Sequence, residues 1–143
     1  MTNPPLRIVL DTNVLYAGLY SASGKAYQLL RAIEAGRVRV ALSAPLLFEY
    51  EDVLKRNQAT LSLNDVEVDA VLDNLCALAE FQAVYFLWRP CLPDASDDMV
   101  LELAVAARVP CIVSFNAKDF RPASRFGIEV ITPKTLLEQL EKM

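Results

Sequence analysis

Apolar positions along this chain follow two rhythms, one suited to strands and one to helices. Residues 6 to 10, LRIVL, form a short apolar run that ends abruptly at Asp11, which reads as a buried strand with an ionisable residue at its carboxyl end. TNVLYAGLY follows as a helix or loop. SGKAYQLLRAIEAG then sets Ala26, Leu29, Leu30 and Ile33 at helical spacing and stops at Gly36. VRVAL is strand-like, and Ser43 is placed to cap the helix APLLFEYEDVLKRN, with Pro45 in its first turn.

Residues 61 to 81 continue as a helix capped by Ser62 or Asn64, with Val66, Val68, Val71, Leu72, Leu75 and Leu78 as its apolar positions. AVYFLW reads as a strand and WRPCLPDAS as a loop punctuated by proline. A helix from about Asp97 to Arg108, a strand PCIVS, a loop NAKDFRPASRFG, a strand IEVIT and a helix from Pro133 complete the chain. Strands apolar on both faces, alternating with helices, predict an α/β fold with a mainly parallel central sheet flanked by helices on both faces. In such sheets ligands sit beyond the carboxyl ends of the strands, which draws attention to Asp11.

Length and composition narrow the picture. At 143 residues and 54% hydrophobic content, residues 1–143 are expected to form a single domain with a real core. The opening MTNPPLR has no basic stretch leading into an apolar segment, and charges interrupt every apolar run before ~18 residues, so a cytoplasmic protein with no membrane attachment is expected. Cys76, Cys91 and Cys111 form no close pair, which points to buried thiols in place of a disulfide framework or thiolate zinc site. Histidine is absent, removing the usual base at neutral pH and the commonest transition-metal ligand. Any catalysis must therefore rest on carboxylates. The net charge of −4 argues against coating nucleic acid with the whole surface and leaves room for a local basic patch.

Four acids stand out by position. Asp11 closes a strand where an ionised carboxylate is costly unless it is hydrogen-bonded, paired or bound to metal, although it is equally suited to cap the next helix. Glu49 shares a helical stripe with Leu46, Tyr50, Val53 and Leu54, whereas Glu51 and Asp52 point toward solvent. In PDASDDMV, Asp98 shares a face with Leu101 and Val105, with Glu102 one turn on; Ser96 and Asp97 are placed as caps, and Asp94 lies in the loop. Asn116 and Asp119 fall just past the strand CIV, in SFNAKDF, where a polar turn is the plain alternative. Carboxylates gathered from separate segments would repel one another, and their natural counter-charge is a hard divalent cation, Mg²⁺ or Mn²⁺, of the kind that supports phosphodiester chemistry.

Taken together these motifs resemble the PIN-domain nucleases, in particular the VapC-like toxins of toxin–antitoxin pairs, over nearly the whole chain. RIVLDTNVLY is similar to the family's opening strand with its first metal-binding acid, here Asp11, followed by the supporting Thr12 and Asn13. SAPLLFEYEDVLKR resembles the second motif, with Glu49 as its acid, and DDMVLELAVAARVPCIVS the third, with Asp98 as the catalytic acid and Asp97 supporting. SFNAKDF resembles the closing motif; Ser114 holds the Ser/Thr position, and Asn116 stands at the first acidic position, leaving Asp119 as the fourth carboxylate. The resemblance implies a PIN-like domain whose metal ligands and catalytic residues are Asp11, Glu49, Asp98 and Asp119. It further implies a Mg²⁺- or Mn²⁺-dependent endoribonuclease, an antitoxin protein that neutralises it, and a homodimer. Lys118, Arg121 and Arg125 are candidate RNA contacts, in a stretch where cations outnumber acids.

Three rival readings remain at this level. A haloacid-dehalogenase-type phosphatase needs a second acid two residues after the first, where this chain has Asn13. A phosphoryl-accepting receiver domain leaves Glu49 without a role. A degenerate PIN fold that binds RNA or protein without cutting is favoured by Asn116 and opposed by Asp11, Glu49 and Asp98.

Overall fold

Strand β1 (Leu6–Leu10) occupies the middle of a five-stranded sheet of order β3-β2-β1-β4-β5, formed with β2 (Val38–Leu42), β3 (Glu80–Phe81), β4 (Cys111–Val113) and β5 (Glu129–Ile131). The computed structural model describes residues 4–84 and 95–143. Every pairing among these strands is parallel. Parallel pairing requires crossovers, and the intervening sequence supplies them. α1 (Thr12–Tyr20) and α2 (Lys25–Glu34) join β1 to β2, while α3 (Ala44–Arg56), α4 (Gln58–Leu61) and α5 (Asp65–Leu78) lead to β3. α6 (Ala95–Ala107) precedes β4, a 3₁₀ segment (Ala117–Phe126) links β4 to β5, and α7 (Pro133–Glu141) follows.

Connections from β1 move outward to β2 and β3 on one side, then return across the sheet to β4 and β5 on the other. Right-handed crossovers in opposite directions place their helices on opposite faces. The core is therefore a sheet sandwiched between two helical layers, which is why Ile8, Val9, Leu10, Ile112 and Val113 are completely buried. Strands covered on both faces tolerate few polar side chains, matching the predominantly apolar runs read from the sequence. Charges do occur at the sheet's other end, where Glu80 on β3 accepts Arg7 of β1 at 2.9 Å and Arg39 of β2 at 3.1 Å. These three side chains are a third to a half exposed, so the pairs register the strands more than they stabilise them.

Helix boundaries follow local chemistry. Ser43 caps α3 by accepting from the Leu46 N–H, and Pro45 occupies the first turn, where its missing N–H has no helical partner to lose. Asn64, not Ser62, caps α5, through a reciprocal box in which Asn64 Oδ1 accepts from Glu67 N at 2.8 Å and Glu67 Oε1 accepts from Asn64 N at 3.0 Å. Ser62 instead takes a left-handed conformation that ends α4.

Several expectations need correction. Val66, assigned to the apolar face of α5, is 76% exposed, because the buried positions Val68, Leu72 and Leu75 define a face that it does not share. The strand expected at AVYFLW is not found at Ala83 and Val84; pairing with β2 falls earlier, on Glu80 and Phe81, and residues 85–88 lie outside the described residues. α6 begins at Ala95, so Asp97 lies within its first turn and does not cap it; Asp94 and Cys91 lie outside the described residues. The loop expected at NAKDFRPASRFG contains the 3₁₀ segment, ended by Gly127 at φ 73°, a backbone conformation suited to glycine. Of the remaining cysteines Cys111 is buried and Cys76 half-buried.

Asn64→Ala is expected to cost about 1 kcal/mol of stability, the usual loss for a helix cap, while Val66→Ala changes it by less than about 0.5 kcal/mol. Urea denaturation of both variants checks this. Burial, with the charge of Glu129 second, pushes the Cys111 thiol up to about 11 from its ordinary 9.0. The unfolded chain then releases its proton first, so this contribution to stability is complete below pH 9 and is lost as pH rises toward 11. Cys111→Val is expected to flatten the fall in urea midpoint across that interval.

Candidate active site

Asp11 sits directly after β1, and its backbone N–H continues the ladder to the Val113 carbonyl of β4 at 3.0 Å. The strand order turns at this point, since the chain leaves β1 toward β2 on one side while β4 lies on the other. In an α/β sheet this switch point, where loops from neighbouring strands diverge, is the usual ligand position. Ser114, one residue past β4, meets Asp11 directly.

The carboxylate of Asp11 is held at both oxygens. Thr12 N donates to Oδ1 at 2.8 Å, and the hydroxyl of Ser114 donates to Oδ2 at 2.6 Å. Asp11 is 8% exposed and Ser114 fully buried, so these bonds act where water offers little competition. Ser114 Oγ also accepts from Asn116 N at 3.0 Å, tying the loop after β4 to the acid. Asp11 is also the residue before α1, whose positive N-terminal end favours a negative charge. Its two sequence readings, helix cap and strand-end acid, are thus one arrangement.

A further brace comes from α3. The phenol of Tyr50 donates to the Leu10 carbonyl, the last of β1 and adjacent to Asp11. Burial, and secondly the charge of Asp11, push the Tyr50 phenol above its ordinary value, so it remains a neutral donor. In the sequence Tyr50 reads only as an apolar neighbour of Glu49. The signal that could have revealed it is that a buried tyrosine needs a partner for its hydroxyl.

The other candidates are distributed around this point. Glu49 is half-buried on α3, beside Tyr50, and makes no hydrogen bond or ion pair among the described residues. Its neighbours Glu51 and Asp52 are taken up by Lys55 and Arg56. α3 packs against both α1 and α6, and α6 packs against β1. On α6, Asp98 is only 3% exposed and Asp97 half-buried. Glu102, one turn along, is also 3% exposed; its spacing from Asp98 was legible, its burial was not. Asp119 is half-buried in the 3₁₀ segment, which packs against α6, and Asn116 is exposed. Lys118, Arg121 and Arg125 are exposed on the same segment.

The structure therefore joins Asp11, Thr12, Ser114 and Asn116 through direct hydrogen bonds. It does not gather the four acids into a closed set: among the described residues, no three His, Cys, Asp or Glu side chains form a group able to hold a metal ion. The donors nevertheless have the chemistry of a hard-cation site. Asp11 and Asp98 present buried carboxylates, and Asn13 Oδ1 is buried with no hydrogen-bond partner among the described residues. Oxygen donors without histidine or thiolate suit Mg²⁺, Mn²⁺ or Ca²⁺.

The PIN domain family matches this chain over residues 7–118, and its α/β fold is the one found here. The chain belongs to that family. PIN domains are in general nucleases, commonly dependent on divalent metals, which places the protein among the hydrolases at that coarse level. The match spans Asp11, Glu49, Asp98 and Asn116 and ends one residue before Asp119. No curated protein matches the sequence. No helix among the described residues is long and apolar enough to cross a membrane.

Ser114→Ala removes a buried hydrogen bond to a charged group and is expected to cost about 1.5–3 kcal/mol; Tyr50→Phe, which strands a buried carbonyl, about 1–3 kcal/mol. Urea melts of the two single variants and the double variant test whether the braces act independently.

Proposed function

We propose that this protein is a Mg²⁺- or Mn²⁺-dependent endoribonuclease and the toxin of a toxin–antitoxin pair, acting in the cytoplasm as a homodimer and neutralised by an antitoxin protein. The observation that carries the nuclease reading is Asp11, a nearly buried carboxylate held at both oxygens at the switch point of a PIN domain. The toxin reading is supported by the resemblance of the four motifs to VapC-like proteins.

In this reading Asp11, Glu49, Asp98 and Asp119 would supply the ligands of the ion. When bound, the divalent ion supplies a Lewis acid that activates water and offsets negative charge on the phosphate. The chain's own residues set the geometry: Ser114 and Thr12 hold the Asp11 carboxylate, and Tyr50 holds the end of β1 beneath it. With no histidine in the chain, the proton of the attacking water would pass to a carboxylate or to solvent. Lys118, Arg121 and Arg125 are exposed and make no ion pair among the described residues, leaving them available to phosphate.

The catalytically silent alternative, a PIN fold that grips RNA or protein, is favoured by Asn116 at the position where the resemblance calls for an acid. Incubation of the purified protein with labelled RNA and Mn²⁺ separates the two. Asp11→Asn and Asp98→Asn are each expected to lower cleavage at least ~100-fold, and a chelator to abolish it. Equal cleavage by wild type and Asp11→Asn, or none by either, rejects the nuclease reading.

A further inference from the structure

α2 and α7 pack together and leave a groove of about 660 Å³ between them. Lys25 and Arg31 line it from α2, Arg37 from the turn before β2, and Lys134 from the start of α7. None of these cations forms an ion pair among the described residues, whereas Arg7, Arg39, Lys55 and Arg56 elsewhere each have a carboxylate partner. The two acids of the groove, Glu138 and Glu141, both belong to α7. Positive charge thus dominates the α2 wall of a protein that is acidic overall.

The shape of this charge selects its ligand. Lys25 and Arg31 lie six residues apart on one helix, about 9 Å along its axis, so they address successive charges on a chain more readily than a single small anion. The groove has no aromatic side chain in its lining, which removes base stacking and leaves backbone contact as its means of attraction. A protein partner would need a pocket for an apolar or aromatic anchor, and the lining is mostly charged or short side chains.

We infer that the groove between α2 and α7 binds the phosphate backbone of single-stranded RNA, as a second contact surface separate from the acids around Asp11. The inference deepens the ribonuclease reading and rests on RNA being the substrate. Lys134 lies in the first turn of α7, just beyond the carboxyl end of β5 and on the same edge of the sheet as Asp11. A strand leaving the groove at Lys134 therefore emerges on the edge that carries the acids.

The test is binding of a labelled oligouridylate, about 16 nucleotides long, followed by fluorescence anisotropy in a chelator across a salt series, so that no cleavage occurs. The variants Arg31→Gln with Lys134→Gln alter exposed side chains only, and their urea midpoints verify folding. Their loss is expected to weaken binding more than tenfold at low salt and to lower the slope of log affinity against log salt by about 1.4, roughly 0.7 per phosphate contact. Glu138→Gln with Glu141→Gln is expected to tighten binding. Unchanged affinity and slope in the first pair overturns the inference, as does a change in oligomeric state without a change in RNA affinity, which would assign the groove to a second copy of the chain. If the wild type never cuts RNA with Mn²⁺ yet loses binding on Arg31 and Lys134 substitution, the groove stands and the nuclease reading falls. Cleavage by wild type with unaltered binding by the pair gives the reverse.

Discussion

Asp11 brings a carboxylate into the centre of a parallel sheet, where exposure is only 8% and an uncompensated charge would be severely costly. The surrounding structure answers that cost. Thr12 and Ser114 each donate to one oxygen, the N-terminal end of α1 points its dipole at the charge, and Tyr50 secures the carbonyl just before it. Each donor comes from a different neighbour of β1: the helix that follows it, the strand beside it, and the helix packed beyond its end. Preserving this acid therefore constrains the register of β1 against β4 and the position of α3.

That constraint explains why polar residues are tolerated in an otherwise apolar layer. Ser114 is fully buried and serves two roles, donating to Asp11 and accepting from Asn116 N. The loop after β4 is consequently tied to the acid, and the 3₁₀ segment that continues it presents Lys118, Arg121 and Arg125 to solvent. The side chains of Glu49 and Asp119 are half-buried and make no hydrogen bond among the described residues.

Glu51 and Asp52 show how position on a helix separates acids that are adjacent in sequence. Both meet cations one turn along, Lys55 and Arg56, at exposed sites where such pairs contribute little. Glu49, two and three residues earlier, falls at the edge of the stripe formed by Leu46, Tyr50 and Leu54. A similar separation divides Asp98, buried beside Leu101, from Asp97 in the same turn.

Periodicity alone determined most of the architecture: the apolar runs at β1, β2 and β4 and the helical spacing of α2, α3 and α7 are local patterns, and burial on both faces follows from them. It failed at Val66 and at AVYFLW, where apolar residues satisfy a pattern without saying which face meets the core or which residues pair with β2. Candidate acids were legible because a carboxylate at a strand end or on an apolar stripe is improbable without a purpose. Only the tertiary structure could show that Ser114 and Tyr50 brace Asp11, because those contacts join residues 103 and 40 positions apart, or nearly so, across the sheet. The groove between α2 and α7 was likewise decided by packing. Local sequence specifies which side chains are costly to bury, and the assembled sheet decides which of them find partners.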